Sequence, residues 1–382
     1  MNELERIREE INEIDGELLP LFLRRMDASR RVAEYKREHH LPVFHAERER
    51  QILNRVAEQA GEYADAAQLL YSSIMDVSRA LQHDQLGGGK VLRRQIETAL
   101  SARPAPARGR VACAGVDGSY TGEAGRMLYP EAELLFRRRF EDVFRAVDAG
   151  EADYGIIPVE NSSAGSVTEV YDLIIKYRFS ICAGTELRIS HCLLAQPGAR
   201  LEDIKTVYSH PQALSQCSGF LEQNALRPVE SANTAVAAET VAGAGDLAAA
   251  AIASRQSAEL YGLSILKEGI QNSRENYTRF ISISKTPHIP KDADKISLCF
   301  SLPHETGSLY RILSRFALRG LNLTKIESRP ILDKPFEYLF YLDFSGNAAE
   351  EKTVNLLCAL SDELPRFTFL GNYRENKPDE SI

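Results

Sequence analysis

The chain has 382 residues, a formal net charge of -8, a hydrophobic content of 44% and a charged content of 26%. This composition is ordinary for a globular protein, and the length predicts two or three domains, each with a core of its own. The net negative charge makes the surface as a whole a poor match for nucleic acid or for an anionic membrane, so neither is expected as a partner.

The chain start and the cysteines favour a cytoplasmic protein. The first ten residues, MNELERIREE, are too polar for a secretory signal, and no apolar run approaches the roughly 18 residues of a membrane span. The six cysteines are scattered and form no CxxC pair. Reduced thiols in the cytoplasm are the simplest interpretation of that pattern.

An apolar stripe predicts an all-α domain over residues 1–86. Its first members recur at steps of three and four, as on one face of a helix: Leu4, Ile7, Ile11, Ile14, Leu18 and Leu21. The stripe resumes between Ile52 and Leu81. Pro20 is expected to kink the first helix, because a proline inside a helix removes one hydrogen bond.

The pattern changes after this domain. Gly87, Gly88 and Gly89 interrupt it, and residues 87–109 are predicted to be a linker that includes a short helical stretch. Over residues 110–284, short apolar runs alternate with amphipathic helices, which predicts an α/β domain with largely parallel sheets. Loops after strands in such folds commonly carry ligand sites.

The remaining segments predict a third domain. Residues 285–294 read as a second linker, and residues 295–376 show the order βαββαβ, which is the ferredoxin-like α+β arrangement. The last residues, 377–382, are polar and are predicted to form a loose tail.

Polar side chains recur at helical spacing in the first domain. Arg25 and Lys36 are separated by about three turns, and Ser78 and Gln82 share a helix face at i,i+4. Taken alone, such groups more often form a solvated surface. Together with the ordered segments LERIREEINEIDGELLPLFLRR, VAEYK, PVFHAERE and SRALQ, they resemble the all-helical chorismate mutase family.

That resemblance implies an intertwined helical dimer that binds chorismate. The positions that match the family's site are Arg8, Arg25, Lys36, Arg48, Glu49, Ser78 and Gln82. Lys36 and Gln82 are implied as catalytic donors to the ether oxygen, and Glu49 as the catalytic acceptor for the ring hydroxyl. Arginine suits the two carboxylates of chorismate because its planar fork makes paired hydrogen bonds.

Two positions in this set carry further expectations. Arg8 and Arg25 are 17 residues apart, which is roughly 25 Å along a helix, so we expect Arg8 to complete the site of a second subunit. His45 stands where relatives often have Asp, so both a substrate-binding and a structural role stay open for it.

Small hydroxyl and amide side chains mark the loops of the second domain. The segments IPVENSSAGSV, ISHCLLA, VYSHPQALSQC and NYTRF closely resemble the prephenate dehydratase family, from Val111 to about Ser284. The resemblance implies a two-lobed fold like that of periplasmic binding proteins, with prephenate in the cleft and no cofactor. It implies Thr278 as the catalytic proton donor or its immediate partner. The implied binding, polarising or bracing groups are Asn161, Ser209, Gln212, Arg279, Glu160 and His191.

A thiol nucleophile is a weaker interpretation of the same domain. Cys192 adjoins His191, and Cys217 lies near His210, but nothing else in the sequence indicates acyl or thioester chemistry. The histidines have no metal-ligand spacing, so no metal is expected.

Two motifs of the third domain resemble the amino-acid-binding ACT domain attached to prephenate dehydratases. The positions implied as effector-binding are Gly307, Ser308, Leu309, Glu327, Ser328 and Arg329. Relatives often read GALV where this chain has GSLY. A helix start favours a carboxylate, Gly307 lets a ligand approach the backbone, and Leu309 can wall an apolar pocket. A purely structural dimerisation module is the alternative.

The resemblances together predict a bifunctional enzyme, an isomerase and a lyase, in phenylalanine biosynthesis. It would convert chorismate to prephenate and then to phenylpyruvate, as a homodimer or higher homo-oligomer inhibited by phenylalanine. Three alternatives stay open: a degenerate mutase region kept for dimerisation, a non-catalytic ligand-binding sensor, and a preference for arogenate, the aminated relative of prephenate.

Overall fold

The structure is a computed structural model of one chain. It describes residues 2–41, 43–104, 108–273, 275–331, 334 and 336–376, so the predicted tail at 377–382 lies outside the described residues. The chain divides into two compact units. Met1–Thr98 and Ile296–Phe369 form the first unit, and Ala99–Lys295 and Leu370–Ile382 form the second.

The N-terminal segment is helical, as predicted. Its helices are α1 (Glu3–Glu38), α2 (Ala46–Ala60), α3 (Ala64–Leu86) and α4 (Lys90–Ser101). Asn2 caps α1, because its side chain accepts the backbone N–H of Glu5 at 2.8 Å. The helix continues on both sides of Pro20, so the proline does not end it.

The apolar stripe of α1 is largely exposed in the single chain. Leu4, Ile7, Ile11, Ile14, Leu18 and Leu21 are each between 48% and 58% exposed. The second half of the helix instead buries Met26, Ser29 and Ala33. The first half therefore presents an apolar face that the described residues of this chain leave open.

The segment predicted as the first linker is packed structure. Leu92 and Ile96 of α4 are buried. Gly89 has a positive φ of 65°, and a Cβ there would lie 2.4 Å from the Cβ of Cys358. Glycine is therefore required at this close approach, whereas the sequence indicated only a break in the helix. The second predicted linker likewise buries Ile289 and Ala293.

Strands and helices alternate in the second unit, as predicted. The strands are β1 (Arg110–Ala114), β2 (Glu133–Arg137), β3 (Tyr154–Asn161), β4 (Gly165–Ser166), β5 (Ser180–Arg188), β6 (Cys192–Ala195), β7 (Thr206–Ser209), β8 (Arg227–Glu230), β9 (Ala249–Ala253), β10 (Ser264–Lys267) and β11 (Tyr277–Ser284). The helices are α5 (Tyr120–Leu128), α6 (Phe140–Asp148), α7 (Thr168–Tyr177), α8 (Pro211–Gln216), α9 (Ser218–Gln223), α10 (Thr234–Ala244) and α11 (Arg255–Tyr261).

These strands form two mixed sheets, whereas the sequence predicted largely parallel ones. In one sheet the order is β5-β11-β3-β1-β2, with β1 parallel to β2 and β3. Strand β11 returns to this sheet late in the chain and runs antiparallel to both β3 and β5. In the other sheet the order is β10-β6-β9-β7-β8, with β9 buried along its whole length.

The sheet topology gathers polar chain ends at one edge. Because β1, β2 and β3 are parallel, the residues that end or follow them lie at the same edge: Gly115, Arg138 and Asn161. Thr278, at the start of antiparallel β11, pairs with Asn161 in the register of the sheet.

The predicted βαββαβ order is present at the end of the chain. It comprises β12 (Lys295–Ser301), α12 (Ser308–Ala317), β13 (Leu323–Pro330), β14 (Tyr338–Ser345), α13 (Glu351–Glu363) and β15 (Thr368–Asn376). In the first unit, β14 lies between β12 and β13. The last residues of β15 belong to the second unit, where they pair in parallel with β5.

Candidate active sites

Four residues predicted for the mutase site meet where α1 contacts α3. Arg25 donates to the hydroxyl of Ser78 at 2.7 Å, and Lys36 donates to the side-chain oxygen of Gln82 at 3.1 Å. Arg25 and Lys36 are three turns apart on α1, so they share one face of that helix. Ser78 and Gln82 are one turn apart on α3, so they share a face as well, and the two faces meet. Ser78 and Gln82 are buried, so the two cations lie against a desolvated polar surface.

The electrostatics of this site favour binding of an anion. Burial lowers the pKa of Arg25 and of Lys36, while the carboxylate of Glu49 acts in the opposite direction on both. Each cation is therefore partly stripped of water, while the carboxylate of Glu49 stabilises its charged form. A cation in such surroundings interacts more strongly with a carboxylate than it would in bulk water.

Glu49 is held by Arg79, a residue that the sequence analysis missed. The guanidinium of Arg79 donates to Glu49 and to Asp76, and it lies 5.3 Å from the centre of the Phe44 ring. Burial disfavours the charged form of Arg79, but the surrounding carboxylates outweigh this effect and raise its pKa. An arginine next to Ser78 carried no sequence signal that distinguished it from a surface charge.

Three of the predicted mutase residues are not gathered with the others. Arg8 and Arg48 are exposed. Arg8 lies 17 residues before Arg25 on the continuous helix α1, about 25 Å along its axis. His45 caps α2, where its Nδ1 accepts the backbone N–H of Arg48 at 3.3 Å. The imidazole therefore has the structural role that the sequence left open.

The second unit contains a cavity of about 340 Å³ at the polar edge of the sheet. Four predicted dehydratase residues line it: Asn161, His191, Gln212 and Thr278. Residues not among the predicted site residues line it as well, including Tyr120, Arg138, His210, Gln216 and Asn233. The cavity has the size and the mixture of apolar and polar groups that are typical of a small-ligand site.

Asn161 organises one wall of this cavity. Its amide nitrogen donates to Thr278 Oγ1 at 2.9 Å and to Asn276 Oδ1 at 2.8 Å. Its oxygen accepts the backbone N–H groups of Ser163 and Ala164, each at 3.0 Å. These bonds leave the hydroxyl proton of Thr278 available for a ligand, because the oxygen is used as an acceptor.

His191 and Gln216 extend the network. His191 Nε2 lies 3.0 Å from Gln216 Oε1, which also accepts from Asn276 Nδ2 at 3.1 Å. Burial lowers the pKa of His191, although the hydrogen bond to Gln216 opposes this, so the imidazole is neutral at neutral pH. Its Nδ1 is buried without a hydrogen-bond partner among the described residues. Gln216 lies in the quoted VYSHPQALSQC segment, but its spacing alone did not identify it.

Three predicted dehydratase residues, Ser209, Arg279 and Glu160, lie outside the cavity lining, so a direct contact with substrate stays a prediction for them. Ser209 is fully buried and donates to the backbone oxygen of Ile252 at 2.7 Å. Arg279 is buried and bonds Glu375 at 2.5 Å and the hydroxyl of Tyr373 at 2.6 Å. Glu160 lies 4.0 Å from the Arg279 guanidinium. In this structure Ser209 and Arg279 therefore connect neighbouring strands of the second unit.

The buried thiols do not support a nucleophile. Cys192 and Cys217 are buried, and burial raises the pKa of both, that of Cys217 to about 12. A thiol with so high a pKa is protonated at neutral pH, and the thiolate is the reactive form.

A second cavity, of about 400 Å³, lies beside the start of α12 in the first unit. Its lining is Leu302, Pro303, His304, Glu305, Thr306, Ser308, Leu309, Phe336, Tyr338 and Phe340. Gly307, just before the helix, has a φ of 78°, which favours glycine. Glu327, Ser328 and Arg329 lie on β13 and do not line this cavity, so their predicted effector-binding role stays a prediction.

Within the described part of the chain, no helix combines the length and the apolar character needed to cross a membrane. Among those same residues, no group of three or more His, Cys, Asp and Glu side chains is placed to hold a metal ion.

Comparison with known proteins finds two families in the chain. The model of the family "Prephenate dehydratase" matches residues 111–288, and that of "Chorismate mutase type II" matches residues 7–83. Arogenate dehydratase 1 of Petunia hybrida is 40% identical over 296 residues, which are 72% of this chain and 70% of that protein.

Two solved structures share the fold of the dehydratase part. The prephenate dehydratase of Arthrobacter aurescens, solved in complex with L-Phe, is 31% identical with a TM-score of 0.64, over 69% of this chain and 89% of that one. A quorum-quenching acylase is 30% identical with a TM-score of 0.63, over 69% of this chain and 97% of that one.

The mixed α/β fold and its polar cavity, together with these family matches, identify an enzyme of aromatic amino acid biosynthesis. The chain belongs to the prephenate dehydratase family, and its N-terminal region is a chorismate mutase type II domain.

Proposed function

We propose that this protein catalyses two consecutive reactions, chorismate to prephenate and prephenate to phenylpyruvate, and that phenylalanine inhibits it. The observation that carries the proposal is the Asn161–Thr278 hydrogen bond in the wall of the cavity, in a chain that also has a chorismate mutase type II domain. The cytoplasmic location inferred from the sequence stays a prediction.

The first reaction requires positioning and charge stabilisation rather than a nucleophile. The ether C–O bond breaks while a C–C bond forms, and negative charge grows on the ether oxygen. Lys36 and Gln82 would donate to that oxygen, and one preorganised donor is worth about 3–4 kcal/mol. Arg25 would bind a carboxylate, and Glu49 would accept the ring hydroxyl. Their contacts in the first unit support these roles.

A second subunit would complete the mutase site. Arg8 lies too far along α1 to reach a ligand at Arg25 of the same chain, and the apolar stripe of the same half-helix is exposed. Pairing two copies along that stripe would bury it and would bring the first turns of one α1 toward the site of the other. An intertwined homodimer therefore satisfies both observations.

In the second reaction, prephenate loses carbon dioxide and water together. The bond from the ring to its carboxylate breaks, the electron pair enters the ring, and the hydroxyl leaves as water with one added proton. Thr278 would donate a hydrogen bond or the proton to that hydroxyl, while Asn161 fixes the orientation of the Thr278 side chain. The neutral His191 and the amides of the cavity would bind substrate without solvating the departing carboxylate strongly.

Phenylalanine would bind beside the start of α12. Ser308 and Leu309 line the cavity there, and aromatic residues of the lining suit an apolar side chain. The relative from Arthrobacter aurescens was solved with L-Phe, which supports this choice of effector. Inhibition requires phenylalanine to bind one conformation of the protein better than another.

One assay tests the whole proposal. Purified protein is incubated with chorismate, and prephenate and phenylpyruvate are followed with and without phenylalanine. Formation of both products, reduced by phenylalanine, is the expected result. Turnover of prephenate but not of chorismate would indicate a mutase region kept for dimerisation. Absence of turnover with chorismate, prephenate and arogenate would indicate a ligand-binding sensor and would overturn the proposal.

A further inference from the structure

Arg138 lines the dehydratase cavity, although the sequence analysis did not select it. It directly follows β2, at the edge where β1 and β3 also end, so its position is set by the parallel register of the sheet. Its neighbours in sequence are engaged elsewhere. Arg137 donates to Glu151 at 2.8 Å, and Arg139 donates to Asp142 at 2.9 and 3.0 Å.

Arg138 differs from those neighbours because it forms no ion pair with a described residue. The described lining of the cavity contains no aspartate and no glutamate. Burial lowers the pKa of the two lining histidines, His191 and His210, more than their polar neighbours raise it. Arg138 is therefore the one side chain of the described lining that is charged at neutral pH.

We propose that Arg138 binds the carboxylate of the substrate's three-carbon side chain and thereby selects a 2-keto acid over the corresponding 2-amino acid. This inference rests on the dehydratase activity proposed above. The other arginine predicted for this site, Arg279, is engaged with Glu375 and Tyr373 and does not line the cavity.

The chemistry of the reaction decides which of the two carboxylates Arg138 binds. The ring carboxylate leaves as neutral carbon dioxide, so an ion pair with it would stabilise the ground state more than the transition state and would slow the reaction. The side-chain carboxylate keeps its charge throughout. Binding it with a planar guanidinium fixes the substrate without opposing the loss of carbon dioxide.

Arg138 also discriminates between prephenate and arogenate, which differ in their three-carbon side chains. In prephenate the carbon next to the side-chain carboxylate is a ketone, which is neutral. In arogenate it carries an ammonium group, which would lie beside the guanidinium with no acidic group of the described lining to balance it. Like charges held close together in a cavity reduce affinity for the wrong substrate, which is one way in which specificity is built.

The test uses variants of the full-length protein with prephenate and arogenate as substrates. Arg138→Gln should raise the KM for prephenate about 10- to 100-fold, as expected for loss of a charge-assisted hydrogen bond, and should change kcat little. Arg138→Glu should raise the ratio of kcat/KM for arogenate to that for prephenate at least about tenfold, because the new carboxylate can pair with the ammonium group.

Arg139→Gln is the matched control, since it removes an adjacent exposed arginine that does not line the cavity. It should leave both dehydratase constants unchanged, and chorismate turnover by each variant reports whether the protein is folded. An unchanged KM and an unchanged substrate ratio in both Arg138 variants would overturn the inference. Wild-type protein that uses neither prephenate nor arogenate would instead refute the proposed function itself.

Discussion

The carboxylate of Glu49 on α2 is ion-paired with the guanidinium of Arg79 on α3. The same guanidinium lies 3.9 Å from Glu363 on α13, and Arg315 of α12 donates to Glu363 at 2.5 Å. A candidate catalytic residue of the mutase site is thus joined to two helices of the βαββαβ segment through one buried cluster. All of these residues belong to the first unit.

Arg79→Gln should impair the mutase selectively. The change leaves Glu49 without its ion-pair partner, whereas Asp76 and Glu363 keep Arg315, and removing one partner of a buried ion pair costs about 3–5 kcal/mol. We expect chorismate turnover to fall at least about tenfold, while prephenate turnover changes little. Steady-state assays of both substrates on one preparation measure this difference.

The control for Arg79 is Arg50→Gln, which removes an exposed arginine of α2 whose ion pair is with Glu47. Exposed pairs of this kind contribute about 0–1 kcal/mol, so its activity should match the wild type. Equal chorismate turnover in Arg79→Gln and Arg50→Gln would show that Glu49 does not depend on Arg79.

Glu363 should make stability depend on pH in the acid range. Burial alone would raise its pKa, but hydrogen bonds and charges from His83, Arg315 and Arg79 lower it to about 2 from 4.5. Because the folded-state pKa is depressed, the stabilisation is complete above pH 4.5 and is lost as the pH falls toward 2. Glu363→Gln should be less stable than the wild type at about pH 6, and the gap should narrow by about 2 kcal/mol at about pH 3.

Urea unfolding at several pH values measures this gap. Glu47→Gln is the matched control, because Glu47 forms an exposed pair and should show no comparable pH-dependent difference. A gap between wild type and Glu363→Gln that stays constant with pH would contradict the assignment of this stabilisation to Glu363.

Arg8 and Arg25 should complement each other between subunits. Each of the variants Arg8→Ala and Arg25→Ala should lose mutase activity as a homodimer. After unfolding and refolding of an equal mixture, half of the dimers are mixed and carry one intact site, so about a quarter of the wild-type activity should return. Mixing that restores no activity would indicate that both arginines act within one chain, or that Arg8 is not part of the site.

Thr278→Val should abolish dehydration while leaving the mutase active. The substitution keeps the shape of the side chain but removes the hydroxyl that accepts from Asn161, and loss of a general acid costs about 100- to 10,000-fold in rate. Ser282→Ala is the control, since Ser282 is a buried hydroxyl on the same strand that bonds Tyr129 rather than lining the cavity. Retained phenylpyruvate formation by Thr278→Val would remove Thr278 from the mechanism.

Leu309→Gln should weaken phenylalanine binding. Leu309 lines the cavity beside α12, and placing a polar amide there removes apolar contact worth about 1.5–3 kcal/mol, or at least about tenfold in Kd. Tyr310→Gln changes the next residue, which is exposed and does not line the cavity, and should bind normally. Calorimetric titration measures both affinities. If the wild type takes up no phenylalanine, the cavity has another role.

Part of the mutase site could be predicted from the sequence because its residues lie on long, continuous helices. Arg25 and Lys36 lie on one continuous helix, and Ser78 and Gln82 lie on another, so local periodicity already assigns each pair to a face. The apolar stripe of α1 was also identified correctly. Periodicity does not show that the stripe is exposed in the single chain, because burial depends on what packs against the helix.

Local periodicity does not predict which residues line the dehydratase cavity. Arg279 adjoins Thr278 in the sequence, yet neighbouring strand residues face opposite sides of a sheet, and only one of the two lines the cavity. Arg138 lies between two other arginines, and no feature of the local sequence distinguishes it from them. Its importance depends on the parallel pairing of β1, β2 and β3, which joins segments far apart in the chain.

The sequence by itself determined that the N-terminal region is helical, that strands and helices alternate after it, and which families the two regions resemble. These features follow from local periodicity and from short ordered motifs. Tertiary structure alone decided that Arg79 holds Glu49, that Arg279 and Ser209 brace strands, and that Arg138 lines the cavity. Each of these contacts joins distant segments, so it depends on strand register and helix packing rather than on the spacing of residues along the chain.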